Sequence, residues 1–305
     1  MPFKPDRDIP DLADKVILIT GGNNGLWKES ILQLAKHNPR QIFMGARSES
    51  KAQGAIVEIK RAVPGANISF LEIDLSEFSS IKKAADSFLQ QSDRLDILMN
   101  NAGIFGVPPG LTKDGYEIQF GTNHMGPALL TRLLTPTLEK TASLPGSDVR
   151  IINLSSELFK YAPKSGLLLP HNKSSLSDIS GTARYGQSKL ANLYFAQSMA
   201  RRYPSIKSVA IHPGVVQTSI FDNLKKSYPY FSWILQLFSK LFLTDVSTGA
   251  LTQLWAATAI SNVVNNGAFY YPVGKEFGGN SLSRNYELAE KLWEWTQTEL
   301  KDHGF

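Results

Sequence analysis

The stretch ITGGNNGLWKES, residues 19–30, decides how this chain is read. It closes the apolar run KVILIT (15–20) with glycines at 21, 22 and 25, and so predicts a sharp turn from a strand into a helix beginning near Leu26 or Trp27. Main-chain N–H groups exposed at such a helix start, together with the helix dipole, favour a pyrophosphate. Gly21, Asn23, Asn24, Gly25 and Leu26 are therefore candidate phosphate contacts. Trp27 stands where such a loop ordinarily has its last glycine, a residue that lets helix pack closely on strand. An indole there either closes the site or turns away from it.

Working outward, strand-length apolar runs alternate with segments of helical period. QIFMGA (41–46), ISFLEID (68–74), LDILMN (95–100), VRIINLS (149–155), IKSVAIH (206–212) and GAFYYP (267–272) complete the series. Near-continuous Ile, Leu and Val in these runs mean that both faces of each strand are covered. The pattern predicts an α/β fold: a single-domain doubly wound parallel sheet (Rossmann fold) with helices on both faces. Every candidate functional residue falls at, or just past, the C-terminal end of a strand. The two longest segments without clear period, 156–180 and 213–245, emerge on that edge, where long loops usually act as lids.

Composition narrows the function. The 305 residues contain 42% hydrophobic and 19% charged side chains, with no linker or repeat, so one domain over 1–305 is expected. Residues 1–12, with three prolines and no helical period, read as an arm lying on that domain rather than a signal peptide. No cysteine is present, which excludes disulfides, thiolate metal sites and a Cys nucleophile and fits a cytoplasmic protein. The net charge is +5, but Lys and Arg are dispersed, which argues against a nucleic-acid partner. YPYFSWILQLFSKLFL (228–243) is too short and too interrupted to span a bilayer. It reads as an amphipathic helix or helical pair that covers a lipophilic site, packs on the domain, or makes a peripheral membrane contact.

The strand at 41–46 ends in MGARSES with no acidic residue at its tip. An acid there would bind the ribose 2′-hydroxyl of NAD, whereas Arg47 offers a fork of donors to a 2′-phosphate, so NADP(H) is expected. Lys51 is a weaker second cation. Asp74 either lies near the adenine or caps a helix starting at Ser76 or Glu77. In RYGQSKLAN, Tyr185 and Lys189 are four residues apart on one helical face. An ammonium beside a phenol favours the phenolate, so Tyr185 is expected to titrate below its ordinary range and to serve as a general acid or base.

Taken together, Thr20–Trp27, Asp74–Leu75, NNAG (100–103), NH (123–124), NLSS (153–156), Y-x-x-x-K (185–189) and HPGVVQT (212–218) resemble the short-chain dehydrogenase/reductase family over about residues 13–300. The pieces GARS, TNHMG, YGQSKLAN and HPG look most like its retinol-dehydrogenase-like and fungal secondary-metabolism branch. The resemblance implies that Tyr185 exchanges the proton at the substrate oxygen while Lys189 binds the nicotinamide ribose and depresses the Tyr185 pKa. It gives Ser156 the substrate carbonyl, with Ser155 as the fallback, and gives Asn123 a water in the proton relay. Leu75, Asn101 and Gly103 would line the adenosine side, and Pro213, Gly214, Val216 and Thr218 the nicotinamide. Residues 104–112, 157–180 and 217–245 would choose a hydrophobic small-molecule substrate, of polyketide, terpenoid, steroid-like or retinoid-like class. Family members commonly associate through helices at 113–141 and 181–203, so a homodimer or homotetramer is expected. His124 and His212 read as structural, and no cluster has metal-ligand spacing. Trp27 sustains a second reading: a chain of this fold that has lost hydride transfer and works as a non-redox cyclase or isomerase, or as a binding protein.

Overall fold

The computed structural model describes residues 2–22, 25–214 and 246–305. Asn23, Asn24, Val216, Thr218 and the 217–245 lid region lie outside the described residues.

Eight strands form one sheet: β1 (Val16–Thr20), β2 (Gln41–Ala46), β3 (Ile68–Glu72), β4 (Ile97–Asn100), β5 (Val149–Leu154), β6 (Ile206–Ile211), β7 (Phe269–Tyr271) and β8 (Lys275–Glu276). Their order is β3-β2-β1-β4-β5-β6-β7-β8, parallel throughout except for the antiparallel β7–β8 pair. Strand order reverses between β1 and β4, which opens the crevice at their C-terminal ends where ligands of such sheets bind. Two expectations need correction. The series does not end at 267–272, because β8 follows; its two exposed residues carry no apolar pattern to announce it. The run 68–74 leaves the sheet at Glu72, and the Asp74 carboxylate then turns the chain by accepting from the Ser76 amide at 2.9 Å and its hydroxyl at 2.7 Å.

Side chains alternate along each strand, so the sheet feeds two apolar layers. Ile17, Ile19, Met44 and Ile152 face α1 (Gly25–Ala35), α2 (Glu49–Ala62) and α6 (Val246–Thr258). Leu18, Phe43, Leu98 and Ile151 face α3 (Phe78–Gln91), α4 (Gly126–Ala142), α5 (Gly181–Arg202) and α7 (Tyr286–Asp302). Ile9 and Leu12 of the N-terminal segment are buried in the first layer.

Trp27 lies in the first turn of α1, half-buried, with its indole packed against the first layer. The close approach of helix to strand belongs to Gly22 instead, where an added Cβ would stand 2.7 Å from Ile31 Cδ1 and Met44 Cγ. On the opposite layer α7 covers part of α5: Trp293 stacks on Phe195 at 5.9 Å and Arg202 lies 4.4 Å over the same indole. Among the described residues no helix is long and apolar enough to cross a membrane.

Candidate active site

The floor of the crevice is the turn after β4. Thr20 Oγ1, at the end of β1, accepts from the amides of Asn101 (3.1 Å) and Ala102 (3.2 Å) and folds the turn back toward the β1 loop. Gly21 has a φ of +80°, a conformation glycine adopts without strain, and an added Cβ would meet Ala102 Cα at 3.1 Å. At Gly103 an added Cβ would stand 3.0 Å from Asn123 Oδ1 and 3.4 Å from Lys189 Nζ. The Asn101 side chain is fully buried, and neither its Nδ2 nor its Oδ1 has a partner among the described residues. A backbone cradle stripped of side chains, with an unsatisfied amide beside it, suits a dinucleotide.

Asn123 is presented by a π-helical turn, Gly121–Met125, inserted between the single turn Ile118–Phe120 and α4. Its Nδ2 donates to Ile104 O and to Ser188 Oγ, each at 3.0 Å, and its Oδ1 accepts from Ile104 N at 2.8 Å. The side chain thus pins the 104 segment to α5. Tyr185 and Lys189 share the buried face of α5, with Lys189 Nζ 5.4 Å from the Tyr185 ring centroid and donating to Leu154 O at 3.0 Å. Ser156 follows β5, buried like Tyr185, with its hydroxyl near enough to the phenol to act on its ionisation and accepting from Leu158 N at 3.2 Å. The hydroxyl of Ser155, the fallback, donates to Lys189 O at 2.7 Å and ties β5 to α5.

Electrostatics correct one expectation. Burial pushes the Tyr185 phenol well above its ordinary value, opposed by the nearby Ser156 hydroxyl, and burial likewise brings the Lys189 ammonium down to about 7. Desolvation penalises both charged forms, so in this arrangement the neighbouring lysine does not win.

The remaining candidates divide by place. Arg47 is exposed at the end of β2 with no hydrogen-bond or ion-pair partner among the described residues. Asp74 spends one carboxylate oxygen on Ser76 rather than capping α3, whose first amide, Phe78 N, donates to Asp114 Oδ2 at 2.9 Å. The Leu75 side chain is buried in the second apolar layer, and its carbonyl packs closely on Gly126 at the start of α4. Lys51 lies in the first turn of α2, its amide donating to the Ser48 cap at 3.4 Å. Pro213 and Gly214 follow β6, the latter with φ +92°. His124 bonds Thr296 Oγ1 at 3.1 Å and burial holds it down to about 3; His212 packs edge-on against Tyr271 and is held at about 4. Both stay neutral near pH 7, in keeping with structural roles.

Some residues at the site were given no individual role by the sequence. Asn100 Nδ2 donates to Thr131 Oγ1 (3.0 Å) and Asn153 Oδ1 (3.1 Å), and Asn153 Nδ2 donates to Ser208 Oγ (3.2 Å), a polar ladder joining the strand ends. Phe105 lies tilted on the Tyr185 ring, centroids 4.5 Å apart. Asn100 and Asn153 were marked only as the first residues of the NNAG and NLSS pieces, and Phe105 only as part of the 104–112 segment.

Comparison with known proteins agrees with this geometry. The family model for short chain dehydrogenases matches residues 15–166. An uncharacterized oxidoreductase of Schizosaccharomyces pombe is 37% identical over 97% of this chain and 88% of its own length. The chain is a short-chain dehydrogenase/reductase. Within the family it sits with the retinol-dehydrogenase-like and fungal members: retinol dehydrogenase 12 of Mus musculus is 35% identical over 92% of this chain and 85% of its own. Among solved structures of this fold, an uncharacterized protein from Mycobacterium Paratuberculosis superposes with a TM-score of 0.76 at 26% identity, covering 99% of this chain and 98% of that one. As a short-chain dehydrogenase/reductase the chain is an oxidoreductase of NAD(P)-binding fold.

Proposed function

We propose that the chain is an NADPH-dependent reductase or dehydrogenase that interconverts a ketone or aldehyde and an alcohol on a hydrophobic small molecule. The observation that carries the reading is the buried Tyr185–Ser156 hydroxyl pair with Lys189 on the same helical face. Two neighbouring hydroxyls can both hold a carbonyl oxygen, and one of them can transfer a proton to it. Bound NADPH would supply the hydride to the carbonyl carbon. Tyr185 donates its proton to the developing alkoxide; burial keeps the phenol protonated until that charge appears. Ser156 orients the oxygen. Lys189, held at about 7 by burial, gains and loses a proton near neutrality and returns one toward the phenolate. In the alcohol-oxidising direction the same proton moves back from the hydroxyl to Tyr185.

Gly21, Gly25 and Leu26 would hold the pyrophosphate, Asp74, the Leu75 backbone, Asn101 and Gly103 the adenosine side, and Pro213 and Gly214 the nicotinamide side. Arg47, exposed and unpaired among the described residues, would take the 2′-phosphate. The placement of Trp27 against the core layer, with Gly22 making the close contact, supports an open cofactor site over a closed one. An apolar substrate fits the ring of Phe105 over Tyr185, and agrees with the retinoid named by one relative.

Titration of NADPH and NADH by energy transfer from protein fluorescence tests the cofactor assignment. NADPH is expected to bind about tenfold or more tighter, ~1.4 kcal/mol, with the preference lost in Arg47→Asp. Equal affinity for the two in the unaltered chain would overturn it.

A further inference from the structure

Glu117 and Arg184 form a buried ion pair, Arg184 Nη1 to Glu117 Oε1 at 2.8 Å, with side chains 0% and 3% exposed. Each partner reaches further. Glu117 Oε2 accepts from Phe120 N at 2.7 Å, capping the turn that leads into Asn123. The Glu117 amide donates to Asn172 O at 2.7 Å, and Gln187 of α5 donates to Asn172 Oδ1 at 2.9 Å. Arg184 Nη2 donates to Val107 O at 3.4 Å. Three segments that carry site groups therefore meet at one pair: the 104–107 loop with Phe105, the 117–125 segment with Asn123, and α5 with Tyr185 and Lys189.

Stability alone does not call for this arrangement. A buried pair pays desolvation on both charges, and apolar residues of similar volume often serve as well or better. Arg184 Nε is buried with no partner among the described residues, a further cost. What the pair supplies is direction, because the rigid guanidinium fork fixes two acceptors relative to each other.

We propose that Arg184 is a positioning residue: held by Glu117, its guanidinium fixes the 104–107 loop so that Phe105 lies on the Tyr185 ring and sets the approach of a carbonyl to the phenol. This proposal rests on the reductase reading for its kinetic consequence but not for its structural one. The clearest variant is Glu117→Gln with Arg184→Met, which removes both charges together and leaves an acceptor for Phe120 N. Arg184→Lys keeps the charge but loses the fork.

Three measurements on the full chain decide the matter: amide hydrogen exchange over 104–108 without substrate, NADPH titration, and NADPH-dependent reduction of 9,10-phenanthrenequinone. In the double variant, exchange at 104–108 is expected to quicken about tenfold while protection of β4 and β5 is retained. The kcat for the quinone is expected to fall about tenfold or more, with NADPH affinity within about twofold of the unaltered chain and partial recovery in Arg184→Lys. A folded double variant with unaltered exchange at 104–108 and unaltered kcat overturns the proposal. If the double variant does not fold, the same readouts on Arg184→Lys decide it. Absence of quinone reduction in the unaltered chain counts against the reductase reading, while the exchange result still decides the clamp.

Discussion

At the scale of single residues the site is ruled by desolvation. Lys189 is almost wholly enclosed and its ammonium sits at about 7 instead of 10.5. Between those values the unfolded chain holds the proton that the folded chain has lost, so this group makes stability rise with pH across about 7 to 10.5. The difference in unfolding free energy between the unaltered chain and Lys189→Met, from urea melts, is expected to grow over that range; a flat difference would contradict an uncharged buried lysine. His124 works at lower pH. Buried at about 3 against an ordinary 6.5, it contributes stability that is present above 6.5 and lost as pH falls toward 3. His124→Gln is expected to flatten the stability loss between pH 6.5 and 4, measured by the same melts. Tyr185, Lys189, Ser156 and Asn123 were legible in the sequence because their chemistry and order are distinctive. Arg184 and Phe105 were not, because an arginine before a tyrosine and a phenylalanine after a turn acquire meaning only from what the fold brings to them.

At the scale of elements, the apolar runs marked seven strands, since buried parallel strands need Ile, Leu and Val on both faces. The π-helical turn at Gly121–Met125 had no such signal: it is a shift in hydrogen-bonding register, chosen by the contacts of Asn123 rather than by local propensity. Trp27 acts at this scale too. Its indole is part of the α1 packing, so Trp27→Ala is expected to cost about 1–3 kcal/mol in urea unfolding, less than the ~3–5 kcal/mol of a wholly buried tryptophan. NADPH affinity is expected to stay within about threefold, because the residue supports the helix rather than the ligand. Tight NADPH binding that appears only after the indole is removed would revive the reading of a closed site.

At the scale of the molecule, the last helix binds the site-bearing half together. Glu299 of α7 accepts from Tyr116 Oη at 2.8 Å and from Lys173 Nζ at 2.7 Å, next to the Glu117 and Asn172 contacts that brace α5. Glu299→Ala would leave the Tyr116 hydroxyl buried without this partner, and is expected to destabilise by about 1–3 kcal/mol in calorimetric or urea unfolding. An unchanged stability would show that α7 is held by its other contacts, among them Thr296 with His124 and the buried Leu292 and Leu300. This long-range wiring was beyond the sequence, because residues 116, 173 and 299 share no motif and no period. The central claim, that a buried tyrosine manages the proton for a cofactor-borne hydride, is tested most directly by Tyr185→Phe. Its NADPH affinity is expected to match that of the unaltered chain while reduction of 9,10-phenanthrenequinone falls about 10²–10⁴-fold. Undiminished reduction by that variant would contradict the account.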